Sequence, residues 1–222
     1  MMFARISLLI LLGFLAVNAA RASFENISFS DYITYGKSAD GLSPILIADE
    51  DKSWAMAETC RTNISGPGMR LQLLRLSQAD AATNYDAWYR NISATEAYLR
   101  QAIACAPFRG DSWIRNAMVS QAIAEQPQTL SAMLQNAASL NPVEQGQMIA
   151  RMWVWARITA ETQELSAGLI SDDVDRFLRY GDRAMLSSVL LSPSPYIRSL
   201  ARSRMAGLDG NRRRAIEAMD IE

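Results

Sequence analysis

The chain has 222 residues, with 22 basic and 23 acidic side chains, a formal net charge of −1 and no histidine. That balance leaves no global electrostatic footprint for DNA or RNA. Without imidazole there is no Ser-His-Asp triad, no Cys-His dyad and no histidine metal ligand, and two cysteines are too few for a zinc site, so no cofactor and no metal are expected.

At the N-terminus, Arg5 precedes a largely apolar run of 12 residues from Ile6 to Val17. Ala20-Arg21-Ala22 then offers small residues at the two positions a signal peptidase reads. Twelve residues at about 1.5 Å each fall short of a hydrocarbon core of ~30 Å. Residues 1–22 therefore read as a signal peptide cleaved after Ala22, which places the chain in the periplasm or outside the cell. The alternative is an uncleaved anchor with the domain facing the periplasm. Without Arg5 and Arg21, 20 basic side chains stand against 23 acidic ones, a net charge of −3. Only Lys37 and Lys52 of the basic residues are not arginine, a bias that points to a GC-rich bacterial genome. Export implies an oxidising space, where Cys60 and Cys105 either form a disulfide or stay as two small buried thiols.

Residues 23–50 show no sustained helical period. Phe24, Ile27, Phe29, Tyr32 and Ile33 are mixed with polar residues and followed by Gly41 and Pro44, so an extended, partly docked lead segment is predicted. Asp49 or Asp51 then caps a helix to about Arg61, and Gly66-Pro67-Gly68 ends that region. A short helical stretch covers 69–76, another covers 80–92, and a third ends at Cys105. Helices follow at 111–125, 128–140 and 144–165. Trp113, Ala117, Ser120 and Ala124 mark the inner stripe of the first, and Met148, Met152, Trp155 and Ala156 that of the last. Ser171 caps a helix that Gly181 breaks; one more runs to Leu191, and Ile197, Leu200, Ala201, Met205 and Leu208 mark an amphipathic helix after Pro195.

Shifted by 35 positions, the chain overlies itself: Leu99, Ala102 and Pro107 fall on Leu134, Ala137 and Pro142. Each proline is followed by a short link and a tryptophan-bearing helix, Trp113 in one case and Trp153 with Trp155 in the other. A proline cannot continue a helix and biases its predecessor away from the helical region, so it ends one helix and aims the next.

Paired helices at a period of 34–35 residues resemble the tetratricopeptide repeat family. Trp113 fits the first position of that family's leading helix and Ala117 its small one, whereas Asn116 and Ser120 depart from the usual Leu and Tyr. Leu130, Leu134, Ala137 and Pro142 follow the second helix, and Thr95, Leu99, Ala102 and Pro107 the one before it. The resemblance implies an all-α protein of antiparallel helix pairs, stacked as a short right-handed solenoid with capping helices at both ends. The repeat region is expected over 51–165, with an Arg-rich helical cap over 166–222. It further implies a concave groove in which Arg115, Met118, Gln121 and Arg151 face a partner protein or peptide.

Two acidic clusters, Asp49-Glu50-Asp51 and Asp172, Asp173 and Asp175, sit at predicted helix starts, where the helix dipole accounts for them without catalysis. From Arg176 to Arg214 nine arginines face only Asp182 and Asp209, a local balance of +7. Arg198, Arg202, Arg212, Arg213 and Arg214 are the candidates for an anionic surface, and a solvated face is the plainer alternative. Trp88, beside Tyr85, Tyr89 and Arg90, is the best candidate for an exposed aromatic surface, and it joins the partner-binding set. Together these readings describe an exported, non-enzymatic scaffold of the bacterial envelope, with a tie to polysaccharide assembly. The rival is a peripheral binder of anionic membrane or acidic glycan.

Overall fold

The computed structural model describes residues 2–35 and 50–219. Every regular element among them is a helix: α1 (Met2–Ser28), α2 (Ser30–Tyr35), α3 (Glu50–Glu58), α4 (Thr62–Ser77), α5 (Tyr85–Cys105), α6 (Gly110–Ile123), α7 (Pro127–Leu140), α8 (Gln145–Trp155), α9 (Ala160–Leu165), α10 (Ala167–Tyr180), α11 (Arg183–Leu190), α12 (Pro195–Met205) and α13 (Gly210–Glu217). The described chain is all-α. It divides into two units, one ending at Cys105 and one beginning at Ala106. The division falls inside the stretch expected as a single repeat region. Residues from Ile114 to Ile216 contribute to one apolar core.

In the first unit, α1 contains a 23-residue apolar stretch, Ile6–Ser28, none of whose spanning window is buried. At about 1.5 Å per residue it spans about 35 Å, enough for a ~30 Å hydrocarbon core. The 12-residue run is thus embedded in a longer helix of the kind that signal sequences and anchors both have. The lead segment after it is helical where described, not extended. Phe29 and Tyr32 bury against Met56, Ile64 and Leu71, and Arg61 Nη1 donates to the Ala22 carbonyl at 2.7 Å. Gly41, Pro44 and the side chains of Asp49, Glu50 and Asp51 lie outside the described residues.

Helix α4 packs on α2, α3 and α5. It contains Gly66-Pro67-Gly68, which the sequence reads as a terminator. Gly68 is there for close approach: a Cβ on it would lie 2.2 Å from the Tyr98 hydroxyl and 3.2 Å from the Met56 Cβ. That hydroxyl donates to the Ser65 carbonyl at 2.8 Å, two residues before Pro67, which has no N–H to give. Burial pushes the Tyr98 hydroxyl well above its ordinary pKa. The two helices expected over 80–105 are one, α5, capped by Asn84 Oδ1, which accepts from the Ala87 amide at 3.1 Å. Ile92, Thr95 and Leu99 form its buried stripe, and Thr95 satisfies its hydroxyl on the Asn91 carbonyl.

Cys60 and Cys105 are disulfide-bonded, with Cα atoms 5.0 Å apart. The bond fastens the end of α5 to the α3–α4 corner. Cys60 sits at that corner with φ +53°, a left-handed position where glycine is the usual helix stop.

In the second unit α6 packs on α7 and α8, α8 on α10 and α11, α7 on α9, and α10 on α11 and α12. Leu130, Leu134 and Ala137 of α7, Met148, Met152 and Trp155 of α8, and Ile170, Val174, Phe177 and Leu178 of α10 are buried in its core. Pro107 and Pro142 occupy the same local setting. Each is the second residue after a helix, and the next helix begins three residues later. Trp113 Nε1 donates to the Pro107 carbonyl at 2.8 Å, tying the new helix back to its link. Gly110 opens α6 against the other link, since a Cβ there would lie 2.6 Å from Asn141 Nδ2 and 2.9 Å from Gln147 Oε1.

Side-chain caps also start α8 (Glu144), α11 (Asp182), α12 (Ser194) and α13 (Asp209). The helix expected over 144–165 is broken after Trp155 and restarts at Ala160, capped by Thr159. No glycine or proline marks the break. Glu125 makes it, accepting from the Thr159 amide at 2.8 Å, the Thr159 hydroxyl at 2.6 Å and the Thr162 hydroxyl. Burial raises the Glu125 carboxyl, but these hydrogen bonds outweigh it and hold the pKa below its ordinary value.

Two outcomes follow. A Cys60→Ser/Cys105→Ser variant should lose about 4 kcal/mol of unfolding free energy, the chain-entropy value for a loop of this length, read as a lower urea midpoint. A carboxyl with a depressed folded pKa stabilises above its unfolded pKa and loses that contribution as pH falls through the folded value. Acid titration of stability should therefore flatten in Glu125→Gln.

Candidate functional site

The most chemically elaborate cluster is buried. Arg151 and Asp173 are both 0% exposed and form a two-pronged ion pair, Nε to Oδ2 at 2.9 Å and Nη2 to Oδ1 at 2.8 Å. Trp155 Nε1 donates to Asp173 Oδ2 at 3.0 Å, and Arg176 Nη1 to Oδ1 at 3.1 Å. Arg151 Nη1 also reaches the Asn141 carbonyl at 3.2 Å, and Nη2 the Pro142 carbonyl at 3.5 Å. Arg151 is therefore not the groove residue that the repeat resemblance implies. Its donors are engaged inside the protein, where they fix α8 to α10 and to the proline link.

Asp172, Asp173 and Asp175 do not sit at a helix start. They lie inside α10, which begins at Ala167, and Ser171 lies inside it too. Asp173 is in the buried pair, Asp175 lies 3.5 Å from Arg204, and Asp172 is exposed. Among the described residues no group of three or more Asp, Glu, Cys or His side chains could hold a metal ion.

The arginine-rich set separates in two. Arg212 Nε donates to the Leu178 carbonyl at 2.7 Å and its Nη2 to the Gly181 carbonyl at 2.6 Å. It closes the C-terminal end of α10, a favoured place for a cation. Arg198 is half-buried and donates to the Ser192 carbonyl. Arg202, Arg213 and Arg214 are exposed, with Arg214 also bonded to Asn211.

Of the proposed groove residues, Arg115 and Met118 are half-buried on α6, with Met118 against the core. Gln121 Nε2 donates to the Val154 carbonyl at 3.4 Å. An exposed apolar ridge lies on α8, which packs against α6. Ile149 and Trp153 stand one turn apart on α8, 36% and 45% exposed, and the Arg157 guanidinium lies 4.0 Å from the Trp153 ring centre. Sequence reasoning assigns Trp153 only to a repeat helix. The available signal is that residues 149 and 153 fall off the 148–152–155 stripe.

In the first unit Trp88 stands in a ridge with Tyr85 and Tyr89. Ring centres are 5.6 Å apart for Tyr85–Trp88 and 6.0 Å for the stacked Tyr85–Tyr89 pair. Tyr85 and Tyr89 are exposed and Trp88 half-buried. A polar cleft of about 510 Å³ lies beside it, lined by Arg75, Gln78, Ala79, Asp80, Thr83, Asn84, Ala87 and Asn91.

Comparison with protein-family models, with curated proteins and with solved structures gives no match.

Asp173→Ala should destabilise by about 3–5 kcal/mol in urea unfolding, because it strands a buried guanidinium. Pairing Arg151→Met with Asp173→Leu should recover most of that loss.

Proposed function

We propose that the chain is an exported, non-enzymatic adaptor of the bacterial cell envelope, a short right-handed tetratricopeptide-like stack that binds another protein or peptide, in the setting of polysaccharide assembly. The observation that carries the reading is the order of packing in the second unit. α6, α8 and α11 neighbour one another in succession, while α7 meets α9 and α10 meets α12. Alternating neighbours of this kind are what stacked helix pairs require, since each pair buries its faces only against the next. The matched settings of Pro107 and Pro142 support the same period. In such a stack the first helices line the groove, so Arg115, Met118 and Gln121 of α6 and the Ile149–Trp153 ridge of α8 are the contact set. A half-exposed tryptophan under an arginine suits an interface anchor. For export, Ala20-Arg21-Ala22 supports removal of α1 as far as Ala22, giving a mature chain that starts at Ser23 within that helix. An intact mass of the native protein reads this directly.

Photo-crosslinking from position 149 in the native envelope, with wild type and Trp153→Ala in parallel, tests the adaptor reading. A discrete partner captured by wild type and lost in the variant is expected. Identical captures from both would overturn it.

A second reading, binding to anionic lipid or acidic glycan, is favoured by the exposed Arg202, Arg213 and Arg214. Because α10 to α13 share the core, point substitutions are the usable test. Arg202→Ala/Arg213→Ala/Arg214→Ala should cut binding to phosphatidylglycerol vesicles at low salt severalfold and leave stability unchanged. Arg212→Ala should instead destabilise by about 1–3 kcal/mol, leaving two buried carbonyl partners unmet.

A further inference from the structure

We propose that the second unit carries a binding site for a single-chain anionic amphiphile, an alkyl chain ending in a phosphate or carboxylate, at two hollows that share Tyr180. The site uses none of the residues on which the adaptor reading or the lipid and glycan reading rests.

Tyr180 joins the two hollows by lining both. It is the last residue of α10 and stands 78% exposed. The first hollow, of about 300 Å³, takes its apolar lining from Val143, Met148, Met185 and Tyr180. The polar side chains around it are engaged inside the protein. Gln145 Nε2 donates to Asp182 Oδ2 at 2.7 Å, Asp182 Oδ1 accepts from the Met185 amide at 2.9 Å, and Arg176 is held by Asp173. What remains for an occupant is apolar surface, and every methylene buried against it is favourable. Val143 is exposed at this hollow as Tyr180 is, so the surface is open to a ligand from solvent.

The second hollow, of about 440 Å³, is cationic. Arg179 and Arg212 line it against one carboxylate, Asp209, a local balance of +1. Arg179 is exposed, and among the described residues no hydrogen bond or ion pair engages it. Arg212 is already fixed, with Nε and Nη2 on the Leu178 and Gly181 carbonyls, which leaves Nη1 as its spare donor. Asp209 is committed to the start of α13, its Oδ1 accepting from the Asn211 and Arg212 amides at 3.0 and 2.9 Å. A guanidinium fixed in advance needs little ordering when an anion arrives, and guanidinium geometry suits phosphate and carboxylate oxygens.

The pairing of these hollows selects the ligand. A small inorganic anion would use the second and leave the first open, and a neutral hydrocarbon would do the reverse. A peptide ending in a carboxylate would carry backbone amides into the first hollow, where the polar groups are already bonded, and burying unmet amides is costly. An alkyl chain with a charged end brings no such groups.

The test is photolabelling of the full chain with decyl phosphate bearing a diazirine at the end of its chain, kept below its micelle concentration. Labelled peptides are mapped by mass spectrometry. Label is expected within 143–148 or 180–185. Decyl phosphate or decanoate without the diazirine should displace it, the stronger competitor identifying the head group. Decanol and inorganic phosphate should compete at least about tenfold less well, and Arg179→Glu should weaken labelling about tenfold, the worth of one charge-assisted hydrogen bond. Tyr180→Ser should weaken it as well. Both side chains are exposed, so the fold tolerates these changes, and circular dichroism melting checks this. Labelling should be unchanged in Trp153→Ala and in Arg202→Ala/Arg213→Ala/Arg214→Ala, which separates this site from the two readings above. Labelling confined to α1, or labelling indifferent to both Arg179→Glu and Tyr180→Ser, would overturn the proposal. So would decanol, inorganic phosphate or an apolar tripeptide with a free carboxylate competing as well as decyl phosphate.

Discussion

The second unit is organised around two opposite charges with no access to water. Transferring a guanidinium and a carboxylate out of solvent costs several kcal/mol per ion. Their mutual attraction offsets this only where geometry is good and the remaining hydrogen-bonding capacity is met. Arg151 and Asp173 meet that condition. The guanidinium forks onto both carboxylate oxygens and extends to the carbonyls of Asn141 and Pro142. The carboxylate also accepts from Trp155 and Arg176. Three pieces of chain are thereby fixed relative to one another: the link after α7, helix α8 and helix α10. Apolar packing alone is tolerant of small slides between helices, whereas a two-pronged bond inside a dry core is not. The pair therefore contributes position more than free energy. The core of Leu134, Met152, Val174 and Phe177 closes around a register that the charges define.

What was legible in the sequence follows from which interactions are local. The stripe of Leu130, Leu134 and Ala137, the links at Pro107 and Pro142, and the stop at Gly181 all depend on spacing or backbone chemistry within a few residues. The misreadings are tertiary. Gly66-Pro67-Gly68 has a terminator's composition, yet α4 runs through it because Tyr98 requires a residue without a Cβ and reaches Ser65 in the turn that Pro67 disrupts. The break at 156–159 carries no glycine or proline, because Glu125, more than thirty residues earlier, holds it. Arg151 was readable in principle. It lies in the same angular sector as Met148, Met152 and Trp155, just as Asp173 lies with Ile170, Val174 and Phe177. One charge of each sign on two apolar stripes is the mark of a buried pair.

The candidate surfaces show the same division. Burial and internal bonding remove Arg151, Arg198 and Arg212 from the exposed set, because arginine's long stem and five donors suit carbonyl capping as well as ligand contact. Net charge along the chain cannot distinguish the two uses. Aromatic residues are better guides where the stripe is known, since a tryptophan off the stripe must face outward or meet another element. Trp153 could have been read that way, whereas Trp88, four residues before Ile92, lies on the α5 stripe and is half-buried.

Helix α8 joins both parts of the second unit's chemistry. Its inner face carries Arg151 and Trp155 on the carboxylate, and its outer face carries Ile149 and Trp153. Immobilising a side chain at an interface costs about 0.5–1.5 kcal/mol, and this structure lowers that cost twice. The ion pair holds the helix axis, and Arg157 holds the Trp153 ring from above while its Nη1 donates to the Trp153 carbonyl at 2.9 Å. An outward tryptophan with its backbone and ring both restrained needs little further ordering. In the proposed adaptor role, a partner meeting it would lose little entropy in ordering it, so a small apolar ridge would suffice as a contact. The buried pair thus anchors the inner face of the helix whose outer face carries that ridge.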